Sequence, residues 1–282
     1  MKRKAAFESF VDRLKSEYDP KEAFAIARLV FNDLGIESFR IFSDPGVFLS
    51  HEDFTRLEEI ITRLLQGEPV QYVLGYAWFR ERKFYVDPDC LIPRQETEEL
   101  VELILKEPFD QQHIIDIGTG SGCIGISLQS EKNTWRADAS DISPKTLQIA
   151  SKNARLNDAG VKFIQDDILS PDYSKFPDDY DLVVSNPPYV MESERFGMHR
   201  NVLENEPGAA LFVPDDDPLL YYRAIRQFCM KKLKPGGRLY LEINEALGSA
   251  TRDVFANQGF YDVTIRKDIN NKDRFIKAIR NE

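Results

Sequence analysis

Residues 114–122 read Ile114-Ile115-Asp116-Ile117-Gly118-Thr119-Gly120-Ser121-Gly122. A β-branched apolar run enters three alternating glycines and continues into a helical pattern. That is the signature of a buried strand, a glycine loop and a helix. Glycine tolerates positive φ and lets the backbone approach a ligand closely. Open α/β sheets bind ligands in the crevice at the carboxyl ends of their strands, where this loop falls. The plainer reading is a tight strand-to-helix turn that holds nothing. Three alternating glycines in this setting argue for the ligand.

Downstream and just upstream of this stretch, strands and helices alternate. Strands are expected at His113–Ile117, Trp135–Ser140, Val161–Gln165, Leu182–Ser185, Arg238–Ile243, Tyr261–Lys267 and Arg274–Arg280. Helices are expected at Glu96–Lys106, Gly122–Gln129, Pro144–Asn157, Pro218–Leu233 and Leu247–Gln258. The alternation implies a mostly parallel sheet with helices on both faces. The last two strands have no helix between them, so they should pair antiparallel at one end, giving an α/β fold on a seven-stranded mixed sheet. Residues 76–92, rich in aromatic and β-branched types, read as a β-hairpin linking two domains.

Residues 1–75 read as helices. Ala5–Lys15 and Lys21–Leu34 carry apolar residues at helical spacing, among them Ala23, Ile26, Ala27, Val30 and Phe31. Asp19-Pro20 supplies an N-cap and a first-turn proline. Ser50 caps a third helix from His51, with Phe54, Leu57, Ile60, Ile61 and Leu64 on one stripe and Gly67 at its end. No internal repeat or low-complexity linker interrupts the chain.

Composition narrows the function classes. A chain of 282 residues fits one large or two modest domains. Hydrophobic residues at 42% can build a core, and the 30% charged fraction suits a soluble surface. No run approaches the ~20 apolar residues of a membrane span. Met1-Lys2-Arg3-Lys4 runs into Glu8, Asp12 and Lys15 rather than an apolar stretch, so no secretory signal is expected. Cys90, Cys123 and Cys229 are odd in number and far apart, which fits a reducing cytoplasm rather than a disulfide framework. His51, His113 and His199 lack ligand-like spacing, so no metal site is expected. The net charge of -10 argues against naked nucleic acid as the default partner, since that affinity comes from neutralising phosphates.

Gly120-Ser121-Gly122-Cys123-Ile124-Gly125 matches the dinucleotide G-x-G-x-x-G pattern. Asp141 follows the next strand, where an acid meets ribose hydroxyls; read alone, Asp141 or Ser143 would be a helix N-cap. Both features suit NAD and S-adenosylmethionine alike. Asp116 either orients the loop or meets a cofactor amino group. Asp167 is placed to accept from an adenine amino group, with Ile168 on the ring and Asp166 as a rival. The expected cofactor contacts are therefore Asp116, Gly118, Thr119, Gly120, Gly122, Asp141, Asp167 and Ile168, with Asn186 adjoining.

The fourth strand runs into Asn186-Pro187-Pro188-Tyr189. Two consecutive prolines stop the strand, lack N–H donors and stiffen the loop. A stiff loop presents two fixed acceptors, the Asn186 side-chain oxygen and the Pro187 carbonyl. A primary amide or exocyclic amine offers two N–H donors and a planar face, on which Tyr189 can stack. An amide nitrogen is a poor nucleophile because its lone pair is delocalised. Two acceptors on its hydrogens hold it in place and stabilise the positive charge that builds on attack. A sulfonium methyl donor is already activated, so the chemistry needs no metal or protein nucleophile. NAD gives no use for such a loop. Asn186, Pro187 and Tyr189 are the expected catalytic residues, with Pro188 in the substrate wall. A bare proline-rich turn is the plain alternative, weakened by the glycine loop and Asp141 upstream.

These residues resemble the HemK/PrmC-type family of protein-(glutamine-N5) methyltransferases over nearly the whole chain. Gly67-Glu68-Pro69-Val70-Gln71-Tyr72-Val73-Leu74-Gly75 is similar to the family's stretch before its hairpin, and Leu91 to Val101, with Pro93-Arg94-Gln95-Glu96-Thr97-Glu98, to its interdomain motif. Asp116 to Gly122, Ser185 to Val190, Glu206-Pro207 with Ala210-Leu211-Phe212, and Asp268-Ile269 with Asp273-Arg274 carry the rest. The resemblance implies a class I, Rossmann-like methyltransferase. It would have a substrate-docking helical domain at 1–75, a linking hairpin at 76–92 and a catalytic domain at 93–282. It also implies S-adenosylmethionine as cofactor and S-adenosylhomocysteine as product. The acceptor would be the glutamine of a Gly-Gly-Gln loop on a peptide chain release factor, held by Asn186 and Pro187 with Phe79 and Tyr189 lining its pocket. A cytoplasmic monomer, with neither membrane nor nucleic acid as partner, is the expectation.

Several positions depart from the family pattern. Gln95 stands for a second proline, Arg80-Glu81 for an aromatic-glycine pair, Asn271 for a glycine and Asn244 for a small residue. Arg94 either pairs with Glu96 or Glu98 or shapes the pocket; Glu206 is either a solvated acid or fixes the active-site loop. The main rival function is a methyltransferase for adenine N6 or another base amino group, which would call for a basic surface. A non-catalytic cofactor-binding module and an NAD oxidoreductase fit the motifs less well.

Overall fold

The computed structural model describes residues 1–44, 46–256 and 258–282. It divides into one unit of residues 1–75 with 199–205, and a second of residues 76–198 with 206–282.

In the first unit, local signals start the helices. The Asp19 side chain accepts from the Lys21 amide at 2.9 Å, and Pro20 opens the helix. Ser50 Oγ accepts from the Asp53 amide at 2.9 Å. The helices are α1 (Arg3–Leu14), α2 (Pro20–Asp33), α3 (Ser38–Ser43), α4 (His51–Leu65) and α5 (Val70–Leu74). Their apolar stripes close a core that contains Phe7, Phe10, Val30, Phe31, Ile61 and Leu64. The Phe31 ring meets Phe7 and Phe10 edge-on, at centroid distances of 5.2 and 6.0 Å. The short α3 and α5 are additions to the sequence reading, since one turn or two shows no period. So is the late segment 199–205: Asn205 Nδ2 donates to the Gly67 carbonyl at 3.0 Å, and Asn201 Nδ2 to the Tyr18 hydroxyl at 3.4 Å.

The second unit begins with a hairpin of β1 (Tyr76–Phe79) and β2 (Arg82–Tyr85). Phe79 pairs with Arg82, which leaves the two-residue turn Arg80-Glu81. Both turn residues have positive φ, 47° and 59°, the geometry that favours Asn or Gly. The strands stop at Tyr85, short of the expected Ile92. Pro88 cannot donate to a ladder, and Asp87 turns back to accept from the Asp89 amide at 2.9 Å.

The catalytic-type sheet follows: α6 (Gln95–Leu105), β3 (His113–Ile117), α7 (Cys123–Glu131), β4 (Arg136–Asp141), α8 (Pro144–Leu156), β5 (Val161–Gln165), β6 (Tyr180–Ser185), β7 (Val190–Met191), α9 (Arg200–Asn205, in the first unit), β8 (Phe212–Val213), α10 (Leu220–Lys232), β9 (Leu233–Glu242), α11 (Gly248–Phe255), β10 (Phe260–Lys267) and β11 (Asp273–Arg280). The strand order is β10-β11-β9-β6-β3-β4-β5. The five strands from β9 to β5 are parallel, and β11 is antiparallel to both neighbours. This is the seven-stranded mixed sheet expected from the sequence. The helix expected over Leu247–Gln258 ends at Phe255; residue 257 of that span lies outside the described residues. β7 and β8 form a separate parallel pair of two residues each, too short to read from pattern.

Central β3 is buried along its whole length. Ile114 enters one apolar cluster, and Ile115 and Ile117 another, as a strand covered on both faces requires. The chain runs from β3 to β4 and β5 on one side, then returns as β6 on the other. That reversal opens a crevice at the carboxyl ends of β3 and β6. In the β10–β11 connection, Asn271 sits at φ 62°, a left-handed conformation that asparagine adopts more readily than most residues. Among the described residues, no helix is long and apolar enough to cross a membrane.

Candidate active site

The glycine loop leaves β3 over a buried carboxylate. Asp116 is fully buried; its Oδ2 accepts from Thr119 Oγ1 at 2.6 Å and from the Gly125 amide at 3.1 Å. Asp116 Oδ1 has no partner among the described residues. Burial raises this carboxyl to about 6, against the opposing pull of those two donors. Of its two expected roles, orienting the loop is the one the geometry displays. At Gly120, φ is +56° and an added Cβ would meet nothing within 4 Å, so the loop turns an open side outward. Gly122 serves packing instead: at φ +83°, a Cβ there would lie 2.7 Å from Ile126 Cδ1.

Asp141 ends β4. Its Oδ2 accepts from the Gly120 amide and its Oδ1 from the Ser143 amide, both at 3.0 Å. Burial raises its carboxyl, and these backbone donors partly offset the rise. The cap of α8 is Ser143, whose Oγ accepts from the Thr146 amide at 3.2 Å. The plain N-cap reading of Asp141 therefore falls away.

A cavity of about 360 Å³ opens at these strand ends. Gly118, Thr119, Gly120, Asp141, Asp167, Ile168, Asn186, Pro187 and Pro188 all line it, although they come from four separate stretches of chain. Asp116 and Gly122 stand behind the lining. Asp166 also reaches the cavity, but it is bound to Lys175 Nζ at 2.9 Å and to the Asp172 amide at 3.3 Å. The Asp167 side chain accepts from the Leu169 amide through Oδ1 at 2.9 Å, and its Oδ2 has no hydrogen-bond partner among the described residues.

The tetrapeptide loop follows β6. Ser185 Oγ donates to the Ile117 carbonyl at 2.7 Å and clamps β6 to β3 just before the loop. Asn186, on the cavity wall, donates through Nδ2 to Thr97 Oγ1 at 3.1 Å, and its Oδ1 has no hydrogen-bond partner among the described residues. Thr97 Oγ1 donates to Glu242 Oε2 at 2.7 Å, and the Tyr189 hydroxyl donates to Glu242 Oε1 at 3.0 Å. Glu242 is 1% exposed, and burial raises its carboxyl against the pull of both hydroxyl donors. Burial, and after it the same carboxylate, push the Tyr189 phenol well up. Asn244 Nδ2, at a position of departure, donates to the Tyr189 carbonyl at 3.1 Å and to Glu194 Oε2 at 2.8 Å, so it too anchors the loop.

Two of the expected substrate residues stand outside the lining of this cavity. Phe79 does not line the cavity: it is 1% exposed, packed edge-on against Phe84 at 5.9 Å, because alternation along β1 turns it into the core. Tyr189 is not part of the cavity lining either, and its phenol is committed to Glu242. Arg94 pairs with neither Glu96 nor Glu98. It lines the cavity and binds Glu206 Oε1 at 2.5 Å, while Glu206 Oε2 accepts from the Ile92 amide at 3.2 Å. Glu206, its side chain 1% exposed, thus ties the segment before α6 to the loop after α9. Thr97 and Glu242 escaped sequence reasoning. Their only signal was that Thr97 falls in the Leu91 to Val101 segment.

Residues 95–207 match the model of the methyltransferase small domain, and residues 5–75 that of the PrmC N-terminal domain. A release factor glutamine methyltransferase of Bacteroides thetaiotaomicron is 46% identical over 268 residues, covering 95% of this chain and 96% of its own. One from Flavobacterium psychrophilum is 41% identical, covering 95% and 96%. A solved methyltransferase from Pyrococcus furiosus shares the fold at 14% identity, with a TM-score of 0.54 over 78% of this chain and 98% of its own. Similarity at this level, end to end across both units, places the chain in the family of release factor glutamine methyltransferases.

Proposed function

We propose that this protein transfers a methyl group from S-adenosylmethionine to the side-chain amide nitrogen of the glutamine in the Gly-Gly-Gln loop of a peptide chain release factor. The observation that carries the reading is Asn186, its Nδ2 engaged by Thr97, next to Pro187 on the wall of the cavity that the glycine loop also lines.

The cavity suits a nucleoside-bearing cofactor. Its volume lies within the usual range for small-molecule sites, about 300–1,000 Å³. The unpartnered buried Asp116 Oδ1 leaves a carboxylate behind the loop that favours a cationic ligand. Asp141 retains lone pairs for ribose hydroxyls beyond its two backbone donors. Asp167 Oδ2 is an acceptor for the adenine amino group, with Ile168 beside it. Bound there, S-adenosylmethionine supplies a methyl group on a sulfonium, an activated donor.

The chain's own work is at the acceptor. Asn186 Oδ1 and the Pro187 carbonyl each take one N–H of the glutamine amide, fixing the nitrogen and stabilising the positive charge that grows on it. The prolines and the clamps on Ser185, Tyr189 and Asn244 keep these acceptors from yielding. Residues 1–75 dock the release factor, and the protein acts as a cytoplasmic monomer.

The test is transfer of labelled methyl from S-adenosylmethionine to purified release factor, to its loop Gln→Ala variant, and to bulk DNA and RNA. Label on the wild-type factor alone supports the proposal. Label on nucleic acid alone would replace it with base methylation.

A further inference from the structure

Asparagine has two nearly equivalent ends, and only one serves here. A glutamine amide nitrogen is a donor, so it must meet Asn186 Oδ1; with the amide turned over, two N–H groups would face each other. Nothing within the tetrapeptide selects the end. The selection comes from α6 and β9.

Thr97 Oγ1 carries one proton. An ionised Glu242 can only accept, and it takes that proton through Oε2 at 2.7 Å. The Thr97 oxygen is then left with lone pairs alone for Asn186, and it receives Nδ2 at 3.1 Å. Turning Asn186 over would set its oxygen against those lone pairs. The Tyr189 hydroxyl holds the other carboxylate oxygen at 3.0 Å, so Glu242 cannot swing away. Burial raises the Glu242 carboxyl, and the Thr97 and Tyr189 hydroxyl donors, with the Arg274 charge, work against that rise in favour of the ionised form; the N–H groups of Arg274 go to Asp268 Oδ2 at 3.3 Å and the Ile243 carbonyl at 3.4 Å.

We infer that Thr97 and Glu242 are positioning residues for methyl transfer: through one directed hydrogen-bond chain they hold Asn186 with its oxygen toward the acceptor amide. The inference rests on the function proposed above.

The experiment compares full-length wild type with Thr97→Val, Thr97→Ser and Glu242→Gln. It measures kcat and KM for release factor at saturating S-adenosylmethionine, the affinity for S-adenosylhomocysteine, and thermal melting. Valine keeps the shape of threonine and removes the hydroxyl; kcat should fall about 10- to 100-fold, the scale for outer-shell orienting partners, with product affinity unchanged. Serine should restore turnover. Glu242→Gln lets an amide N–H donate to Thr97, freeing the hydroxyl proton to turn on Asn186, and should lower kcat without unfolding the protein. Wild-type turnover in folded Thr97→Val, or an equal loss in Thr97→Ser, would overturn the inference. If Thr97→Val does not fold, wild-type turnover in Glu242→Gln does so. Failure of wild type to label release factor would instead refute the proposed function. Apart from activity, exchange of the Asn186 side-chain amide protons, assigned by their loss in Asn186→Asp, should be slower in wild type than in Thr97→Val; equal rates would refute the hydrogen-bond chain.

Discussion

Replacing Asn186 by alanine separates stability from chemistry. The substitution removes one hydrogen bond, from Nδ2 to Thr97 Oγ1 at 3.1 Å. Thr97 keeps its bond to Glu242, so no buried donor is stranded. The stability cost is that of one ordinary hydrogen bond, about 1 kcal/mol. For a chain of this size that lowers the melting temperature by roughly 2–4 °C. The backbone should hold, since Ser185 still clamps β6 to β3 and two prolines follow. Turnover should fall by about 10²- to 10³-fold, or ~3–4 kcal/mol, the scale for deleting one preorganised hydrogen-bonding group. A loss of ~1 kcal/mol from a total of about 5–15 leaves the protein folded, so instability cannot account for that drop. The assay is the initial rate of tritiated methyl transfer to release factor at saturating cofactor. Thermal melting and a calorimetric titration of S-adenosylhomocysteine accompany it. Turnover within about threefold of wild type, against the expected loss, would refute the assignment of Oδ1 as an acceptor that bears on the reaction. An equal loss of product affinity would move Asn186 to the cofactor side.

Asp116, ordinarily near 3.8, is raised to about 6 by burial, so the folded protein holds this proton more tightly than the unfolded chain. The stability it lends is full below the unfolded value and is lost as pH rises through about 6, in all ~3 kcal/mol. Urea unfolding of cofactor-free Asp116→Asn and wild type should therefore diverge in the variant's favour by that order between about pH 4 and pH 7, and parallel profiles would exclude it. In the hairpin, Glu81 holds φ 59° without a glycine, and Glu81→Gly should stabilise the protein by about 0.5–1 kcal/mol, the relief of left-handed strain less the added freedom of the unfolded chain. Thermal melting checks this, and a lowered melting temperature would show that the turn is unstrained.

The pieces that were legible in the sequence are those with local causes. β3 and its glycine loop are set by a β-branched run meeting alternating glycines, and the observed strand spans the expected residues, His113–Ile117. The caps at Asp19 and Ser50 involve partners two and three residues away. The antiparallel β10–β11 end follows from the missing helix between its strands. Where local causes were weak, as in the one- and two-turn helices α3 and α5, nothing periodic was available to read.

By itself, then, the sequence determined the alternation, the mixed sheet, the loop that floors the cavity and the tetrapeptide beside it, because hydrophobic period and turn chemistry act between near neighbours. Only the tertiary structure decided which side chains finish the site. Thr97 reaches Glu242 across 145 positions and Asn186 across 89, and Arg94 meets Glu206 across 112. It also turned Phe79 into the core and placed Asp116 behind the loop. A buried polar group takes whichever partner the packed backbone brings within hydrogen-bonding distance, and that choice exists only after the chain has folded.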